Sequence, residues 1–372
     1  MIIGVPREVK TGERRVGLTP DKTDIVVKAG HKVIIEAGAG LGASFKDEDY
    51  KAVGAAIVPA HADVYEQADI VMKVKEPQPE EFELLREGLI LFCYLHLAAE
   101  PAVTEALIKT KTTGIAYETV EEADRSLPLL YPMSEIAGKL AAQVAARLLQ
   151  SDYNGPGRLL GGVPGTEACR FIVVGGGTVG FNAAIIATGL GARVTVFDRN
   201  LERLRYIEHI SQGAIKGLFS TPGTLSKFLS RADVVVSSVL IPGAKAPKVV
   251  TKAMLAAMKE KSIIIDVAID QGGSVEGVHP TTLAKPTYQE GQVTMYAVTN
   301  IPGMVANTSS VSLSNTTHGY LLKLAQAGVK GIIQEGKSLS LGLNTLHGHI
   351  THQAVASSLG LPYVPPAEAL SS

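Results

Sequence analysis

Residues 171–198 read FIVVGGGTVGFNAAIIATGLGARVTVFD, and this segment indicates a strand, a turn, a helix and a second strand in succession. The apolar run Phe171–Val174 predicts a buried strand, and a glycine-rich turn, a helical segment and a second strand-like run follow it. The turn has the spacing Gly-x-Gly-x-x-Gly, and the second run ends in an acidic residue, Asp198. A strand before this motif, a helix after it and an acid about 20 residues on together predict a Rossmann dinucleotide-binding unit.

The glycines of this turn have different physical tasks. Gly175 permits the tight turn, Gly177 lets the backbone approach a pyrophosphate, and Gly180 allows the helix to pack closely on the strand. The helix N-terminus offers unpaired N–H groups to phosphates. The carboxylate of Asp198 would bind ribose hydroxyls and repel a 2′-phosphate, which predicts NAD rather than NADP, although the adjacent Arg199 is a residue type that accepts such a phosphate. The alternative is a glycine-rich turn without a ligand.

Strand-like and helix-like segments alternate outward from this unit in both directions. We predict strands at Met1–Val5, Lys32–Glu36, Ile70–Val74, Leu89–Leu95, Gly114–Tyr117, Phe171–Val174, Arg193–Phe197, Val234–Ser237, Ile263–Val267 and Met295–Val298. We predict helices at Thr19–Ala29, Pro101–Thr110, Ser134–Gln150 and from Pro302 to about Gln326, and a poorly structured end at Leu361–Ser372. This alternation predicts an α/β fold of two Rossmann-like, doubly wound parallel-sheet domains with a cleft between them.

The bulk composition favours small-molecule chemistry. The 372 residues carry a formal net charge of -1, so nothing predicts binding to nucleic acid or to an anionic membrane surface. Cys93 and Cys169 both adjoin apolar runs, which predicts two reduced, buried thiols and a cytoplasmic protein. The N-terminal sequence has no signal-peptide pattern, and no apolar stretch approaches the ~20 residues of a membrane helix.

Polar side chains follow several predicted strands at their carboxyl ends, where ligands of open α/β sheets bind. Arg14 and Arg15 lie after the first strand, and Lys75, His96 and Asp270 follow later ones. A guanidinium fork binds a carboxylate, an ammonium polarises a ketone oxygen, and an imidazole transfers protons near neutral pH. Although each residue alone is more often structural, the set together predicts a site for an oxo acid.

Three further histidines, His347, His349 and His352, suggest a metal cluster at first sight. Neither a carboxylate nor a cysteine accompanies them at the tight spacing of a metal site. We therefore predict no metal site and interpret them as exposed loop histidines.

At this point the sequence resembles the bacterial alanine dehydrogenases, members of the alanine dehydrogenase/pyridine nucleotide transhydrogenase family. The resemblance extends over nearly the whole chain, through the segments 4–8, 14–16, 73–77, 94–99, 116–119, 127–135, 161–165, 240–247 and 266–273. It implies reversible NAD-dependent oxidative deamination of L-alanine to pyruvate and ammonia. It also implies a homohexamer, with a discontinuous substrate domain of residues 1–130 and 305–372 and an NAD-binding domain of residues 131–304.

The resemblance also implies roles for individual residues. Arg15 matches the residue that holds the substrate carboxylate, and Lys75 matches the one at the keto or amino end. His96 and Asp270 match the proton donors and acceptors. Matches to the substrate pocket are Tyr94, Met133 and Asn300. Matches to cofactor contacts, together with Gly175, Gly177 and Gly180, are Ser134, Thr178, Val179, Asp198, Arg203, Ser220, Val239, Leu240, Val267, Ala268, Ile269, Asp270, Val298, Thr299, Asn300 and Ile301.

The chain departs from the family pattern at three places. His279 stands where some members have an arginine near the cofactor. The segment 305–308 stands where the family usually has a proline and a basic residue, and the segment 317–319 stands where it has a helix start that contains proline. These two departures put the local backbone and subunit contacts in question, not the catalytic residues.

Three alternative functions share parts of this pattern. They are the soluble NAD-binding component of a proton-pumping transhydrogenase, a saccharopine-type dehydrogenase of the lysine pathway, and a catalytically idle NAD-sensing module. The first works with membrane-crossing segments, which this sequence lacks, and has no use for an Arg–Lys–His set. Assays of NADH formation with alanine, with lysine or with no substrate separate these functions from an alanine dehydrogenase.

Overall fold

The computed structural model describes residues 1–239 and 245–371. The strands are, in chain order, β1 (Ile2–Val5), β2 (Lys32–Glu36), β3 (Ala56–Val58), β4 (Ile70–Met72), β5 (Ile90–Cys93), β6 (Thr113–Ala116), β7 (Arg170–Val174), β8 (Arg193–Asp198), β9 (Lys216–Phe219), β10 (Val234–Ser237), β11 (Ile263–Asp266), β12 (Thr287–Glu290), β13 (Val293–Tyr296), β14 (Leu343–Leu346) and β15 (His349–Ile350).

The α-helices connect most of these strands. They are α1 (Pro20–Lys28), α2 (Asp47–Ala52), α3 (His61–Gln67), α4 (Pro101–Lys109), α5 (Tyr131–Leu148), α6 (Thr178–Gly189), α7 (Leu201–Ile210), α8 (Pro222–Leu229), α9 (Lys252–Ala256), α10 (Ala306–Glu335), α11 (Ser338–Leu341), α12 (Gln353–Leu359) and α13 (Pro366–Ala369). Among the described residues, no helix is both long and apolar enough to cross a membrane.

Two compact units make up the described chain: residues 1–133 with 303–371, and residues 134–239 with 245–302. The first contains a sheet in the order β15-β14-β6-β5-β4-β1-β2-β3, in which β1 to β6 run parallel and β14 and β15 are antiparallel. Its core joins strand residues such as Leu91 and Cys93 to helix residues such as Val103 and Val355.

The second unit is built around the glycine-rich segment of residues 171–198. Its sheet has the order β12-β13-β11-β10-β7-β8-β9, parallel except for the edge strand β12. Apolar residues fill β7, β10 and β11 because both faces of a parallel sheet are covered by helices. The α/β fold with two doubly wound sheets is therefore confirmed, with antiparallel strands added at the sheet edges.

The structure corrects several sequence predictions outside the parallel strands. The predicted disorder at Leu361–Ser372 is wrong for residues 361–371, since Tyr363 bridges to Ile350 and Ala369 is fully buried in α13. Ser372 lies outside the described residues. The predicted end of the last long helix at about Gln326 lies close to a break at Gly328 (φ 65°, ψ 175°), beyond which a second helical segment continues to Glu335.

The two departures from the family pattern near the C-terminus both fall in α10. Asn307 lies in its first turn, and its side-chain amide donates a hydrogen bond to the Ala43 carbonyl at 2.7 Å. Residues 317–319 lie inside the helix and do not start one. The ring nitrogen Nδ1 of His318 lies 3.1 Å from the Ser314 carbonyl oxygen, one helical turn earlier.

Candidate active site

Three of the predicted site residues share one edge of the first sheet. Arg15 follows β1, Lys75 follows β4 and His96 follows β5, and these strands are parallel neighbours in the order β1-β4-β5. The side chains therefore all come from loops at the carboxyl ends of the strands, where open α/β sheets bind ligands. Glu118, which the sequence analysis did not select, follows the next parallel strand, β6.

Arg15 is held by a buried carboxylate. Its Nε and Nη2 atoms donate to the two oxygens of Glu13 at 2.8 and 2.6 Å, and its Nη1 contacts the Met133 sulfur at 3.0 Å. Burial alone would lower the pKa of Arg15, but Glu13 outweighs it, so the pKa lies above its ordinary value. The neighbouring Arg14 is exposed, whereas Arg15 is only 2% exposed, so the structure separates two arginines that the sequence left together.

Lys75 lies in a dense group of buried charges. Its ammonium is 3.8 Å from Glu76, which also pairs with Lys10. Burial tends to raise the pKa of Glu76, but Lys75 and Lys10 outweigh it and hold that pKa below its ordinary value. Glu8 accepts the backbone N–H groups of Val74 at 2.6 Å and Lys75 at 3.4 Å, which fixes the loop that carries Lys75.

Glu8 has an unusual environment of its own. Burial raises the pKa of Glu8 to about 7, although the ammonium of Lys73 at 3.5 Å opposes the shift. Lys73 is fully buried and also pairs with Glu81 at 2.6 Å. Lys73 is thus engaged in the interior, whereas Lys75 lies after the strand end at the predicted site.

His96 occupies a strained and well-supported position. Its backbone is left-handed (φ 50°), a conformation that non-glycine residues adopt rarely and often at functional sites. The ring stacks on Tyr94, with centroids 5.9 Å apart and an interplanar angle of 6°, and the Tyr94 hydroxyl donates to the Leu129 carbonyl. The Glu118 carboxylate accepts the His96 backbone N–H at 2.6 Å.

In the second unit, the glycine-rich turn fits a dinucleotide pyrophosphate. Gly175 has φ 98°, and a β-carbon at Gly180 would lie 1.9 Å from the Gly175 carbonyl oxygen. A β-carbon at Gly177 would meet no described atom within 4 Å, so the backbone there faces open space, as a pyrophosphate requires. Thr178 is the first residue of α6, whose N-terminal N–H groups point toward the turn.

Asp198 and Arg203 border this turn. The Asp198 carboxylate accepts the backbone N–H of Gly176 at 2.6 Å and lies at the end of β8, the position of a ribose-binding acid. Arg203 donates to the Gly176 carbonyl, and its guanidinium lies 5.0 Å from the Phe181 ring centroid and 4.9 Å from that of Tyr206. The two rings keep this cation beside the turn through cation–π attraction.

The other predicted cofactor residues follow the strand ends of the same sheet, apart from Ser134, Thr178 and Val179 in α5 and α6. After β9, β10, β11 and β13 come Ser220, Val239, the segment Val267–Asp270 and the segment 298–301, respectively. Leu240 lies outside the described residues. Asn300 has a left-handed backbone (φ 66°), and its N–H donates to the Asp270 carboxylate at 3.2 Å, so the structure brings two predicted site residues together.

Two family models match the chain: the N-terminal domain of the alanine dehydrogenase/PNT family over residues 4–137 and its C-terminal domain over residues 141–353. The chain belongs to the alanine dehydrogenase/PNT family. It is similar to an alanine dehydrogenase of Methanococcus maripaludis, with 51% identity over 100% of both chains, and to one of Bacillus subtilis, with 50% identity over 100% of this chain and 98% of the relative. The predicted family is confirmed.

Solved structures give the same picture of the fold. An L-alanine dehydrogenase structure matches with a TM-score of 0.90 and 45% identity, covering 97% of this chain and 99% of that one. A transhydrogenase structure from Sinorhizobium meliloti matches with a TM-score of 0.79 but 24% identity, over 95% and 100% of the two chains. The second likeness shows the shared fold alone.

The structure adds carboxylates that sequence reasoning missed and corrects the histidine interpretation. Glu13 stands two residues before Arg15, and Glu118 ends a strand-like segment, so position relative to the strands was an available signal. His349 lies in β15 and His352 precedes α12, both half-buried, so only His347 fits an exposed loop histidine.

Proposed function

We propose that the chain is an NAD-dependent L-alanine dehydrogenase that catalyses the reversible oxidative deamination of L-alanine to pyruvate and ammonia. The observation that carries this proposal is the grouping of Arg15, Lys75 and His96 at the carboxyl edge of the first sheet. The full-length similarity to two curated alanine dehydrogenases supports the same substrate. The chain is then an oxidoreductase that acts on the CH–NH2 group of an amino acid.

Arg15 binds the substrate carboxylate in this proposal. A guanidinium has five N–H donors, and Glu13 engages those of Nε and one of Nη2. In this proposal the substrate carboxylate meets the side of the guanidinium that carries Nη1, next to the Met133 sulfur. Glu13 locks the guanidinium plane, so the substrate carboxylate binds an arginine whose orientation is already fixed. Met133 and Tyr94 border the alanine side chain.

His96 and Lys75 carry the steps at the substrate carbon. NAD, when bound in the second unit, would supply the acceptor for the hydride that leaves Cα of alanine. His96 then takes a proton from the water that attacks the iminium, and returns it to the nitrogen of the carbinolamine. As ammonia leaves, His96 accepts the hydroxyl proton and pyruvate forms, while the Lys75 ammonium stabilises the developing charge on oxygen.

The second unit holds the cofactor in this proposal. The glycine-rich turn would bind the pyrophosphate and Asp198 the adenosine ribose, with Ser134, Thr178, Val179, Arg203, Ser220, Val239, Leu240 and the segments 267–270 and 298–301 completing the site. Asp270 and Asn300 serve both cofactor and substrate. The substrate domain is assigned to residues 1–130 and 305–372 and the cofactor domain to residues 131–304. By family resemblance we expect a homohexamer. The thiols of Cys93 and Cys169 are buried and form no disulfide, which favours a location in the cytoplasm.

The main alternative is hydride transfer between nucleotides, as the transhydrogenase resemblance suggests. The Arg15–Glu13 ion pair argues against it, because a buried guanidinium aligned for a small carboxylate has no task in nucleotide exchange. The sequence identity is 24% to the transhydrogenase structure but 51% and 50% to the two alanine dehydrogenases, which favours alanine as the substrate.

A substrate panel tests the proposal. NADH formation is measured with L-alanine, glycine, L-serine, L-glutamate and L-lysine, and reduction is measured with pyruvate and ammonium. We expect L-alanine to give the highest kcat/KM and NADP to be the poorer cofactor. Absence of amino-acid oxidation, together with hydride exchange between NADH and an NADP analogue, would overturn it.

A further inference from the structure

We propose that Glu118 is a positioning residue for His96, holding its loop and orienting its imidazole so that Nε2 handles the protons of the reaction. This inference rests on the proposed function. The supporting observations are the hydrogen bonds of Glu118 to the His96 loop, the place of its carboxylate beside Nδ1, and the stacking of the ring on Tyr94.

The first observation is the way Glu118 fixes the backbone. Its Oε1 accepts the His96 N–H at 2.6 Å, and both of its oxygens lie 3.3 Å from the Leu95 N–H. The side chain is nearly buried at the end of β6, and His96 has the left-handed backbone that requires support from its surroundings. One carboxylate thus stabilises the strained turn that presents the imidazole.

The second observation concerns the ring nitrogen Nδ1. It is buried, and it has no hydrogen-bond partner among residues 1–239 and 245–371. Glu118 Oε1 lies 3.9 Å from it, just beyond hydrogen-bond distance. A carboxylate oxygen has two lone pairs, and the Leu95 N–H, which lies 3.3 Å from both oxygens, can be accepted by Oε2. Oε1 can then accept Nδ1–H in addition to the His96 N–H after a small shift of the ring.

The third observation limits the direction of that shift. The ring lies parallel to Tyr94, whose hydroxyl is anchored on the Leu129 carbonyl. A rotation about χ2 would tilt the ring out of this stack, whereas a small change of χ1 moves the whole ring, and movement toward Glu118 forms the Nδ1–H bond. This bond fixes the tautomer that has its proton on Nδ1 and leaves Nε2 as the acceptor.

The consequence for the reaction is a division of tasks. Nε2 gains a proton from the attacking water and loses it to the departing nitrogen, while Nδ1 keeps its proton throughout. The Glu118 carboxylate stabilises the imidazolium that forms in between, as an orienting carboxylate does for a catalytic imidazole. Glu118 acts through His96 and touches neither substrate nor cofactor.

The experiment compares Glu118→Gln, Glu118→Asp and a matched control, Thr104→Val. Glutamine keeps an oxygen for the backbone N–H groups but loses the charge, whereas aspartate keeps the charge. The Thr104 hydroxyl anchors the same loop through the Leu97 carbonyl at 3.1 Å without reaching the imidazole. Measured are kcat for alanine oxidation, KM for pyruvate, the NADH dissociation constant and Tm.

We expect Glu118→Gln to lose at least ~10-fold in kcat, with NADH and pyruvate affinities unchanged within about two-fold. Glu118→Asp should recover part of the lost kcat, and Thr104→Val should retain the parent kcat. In a His96→Ala background, Glu118→Gln should lower kcat no further, because a residue that acts only through His96 has nothing left to position.

Several results would overturn the assignment. They are a parental kcat in Glu118→Gln, an equal loss in Thr104→Val, or a further loss in the His96→Ala background. If Glu118→Gln does not fold, Glu118→Asp in both backgrounds decides between the outcomes. Absence of alanine turnover in the parent chain would instead refute the proposed function.

Discussion

Replacement of Arg15 by lysine tests the substrate-anchoring proposal most directly. In the parent enzyme, the two-pronged pair with Glu13 fixes the plane of the guanidinium that the substrate carboxylate is proposed to meet. A lysine ammonium keeps the charge but is a single point, and the buried Glu13 carboxylate beside it would claim it. In Arg15→Lys, pyruvate therefore loses at least one charge-assisted hydrogen bond and approaches a carboxylate that is less fully neutralised.

The magnitude follows from the burial of the pair. A hydrogen bond to a charged group contributes about 1.5–3 kcal/mol, and Arg15 is only 2% exposed, so solvent screening reduces this little. Loss of one such bond corresponds to a roughly 10- to 150-fold weaker pyruvate affinity. We expect KM for pyruvate to rise by about that factor, with the NADH dissociation constant unchanged.

The assay is reductive amination at saturating NADH and ammonium, with pyruvate varied, supported by a direct titration of pyruvate into the enzyme–NADH complex. Arg14→Lys is the matched control, since the same substitution one residue away changes an exposed side chain and should leave KM within two-fold. A pyruvate affinity in Arg15→Lys equal to that of Arg14→Lys would remove Arg15 from the site.

Three further predictions concern the proton carrier, the cofactor and the pH dependence of stability. His96→Ala should keep NADH binding but lose at least ~100-fold in turnover at saturating alanine; turnover within a few-fold of the parent would shift the role to Asp270. Asp198→Ala should narrow the preference for NAD over NADP, measured as the ratio of kcat/KM values, and equal use of both by the parent would contradict the charge argument. Burial would lower the pKa of His61, but the carboxylates of Glu36 and Glu81 outweigh burial and raise that pKa from 6.5 to about 9. The two ion pairs therefore stabilise the fold fully below pH 6.5, and this stabilisation is lost as the pH rises through 9. His61→Gln should therefore lower Tm at pH 6 and have little effect on Tm at pH 10; an equal drop at both would rule out the ionic contribution.

The sequence predicted the regular part of the fold well because local patterns determine it. The run Phe171–Asp198 contains its own strand, turn, helix and strand, and each predicted strand lies within a few residues of an observed one. The requirement for glycine in the turn follows from backbone stereochemistry: Gly175 has a positive φ, and any side chain at Gly180 would clash with the Gly175 carbonyl oxygen. Arg15, Lys75 and His96 were predicted as site residues because parallel strands bring their carboxyl ends to one edge.

Interactions between distant segments were beyond the reach of sequence patterns. Strand β14 of the β14–β15 hairpin pairs with β6 more than 200 residues earlier, and the four-residue helix α13 is held by the burial of a single residue, Ala369. Asp270 and Asn300, which are 30 residues apart, meet through one hydrogen bond, although neither neighbourhood in the sequence suggests it.

What the sequence determined by itself is therefore the class of chemistry: a dinucleotide turn, a basic and imidazole-bearing sheet edge, and the family. Only the tertiary structure decided which charges work together. It buried Arg15 against Glu13 and left Arg14 in solvent, engaged Lys73 in the interior, and placed Glu118 beside His96. The physical reason is that burial and pairing belong to the three-dimensional surroundings of a side chain. Two adjacent residues of the same type can thus have opposite environments, and a carboxylate 22 residues away can bind the backbone of a histidine.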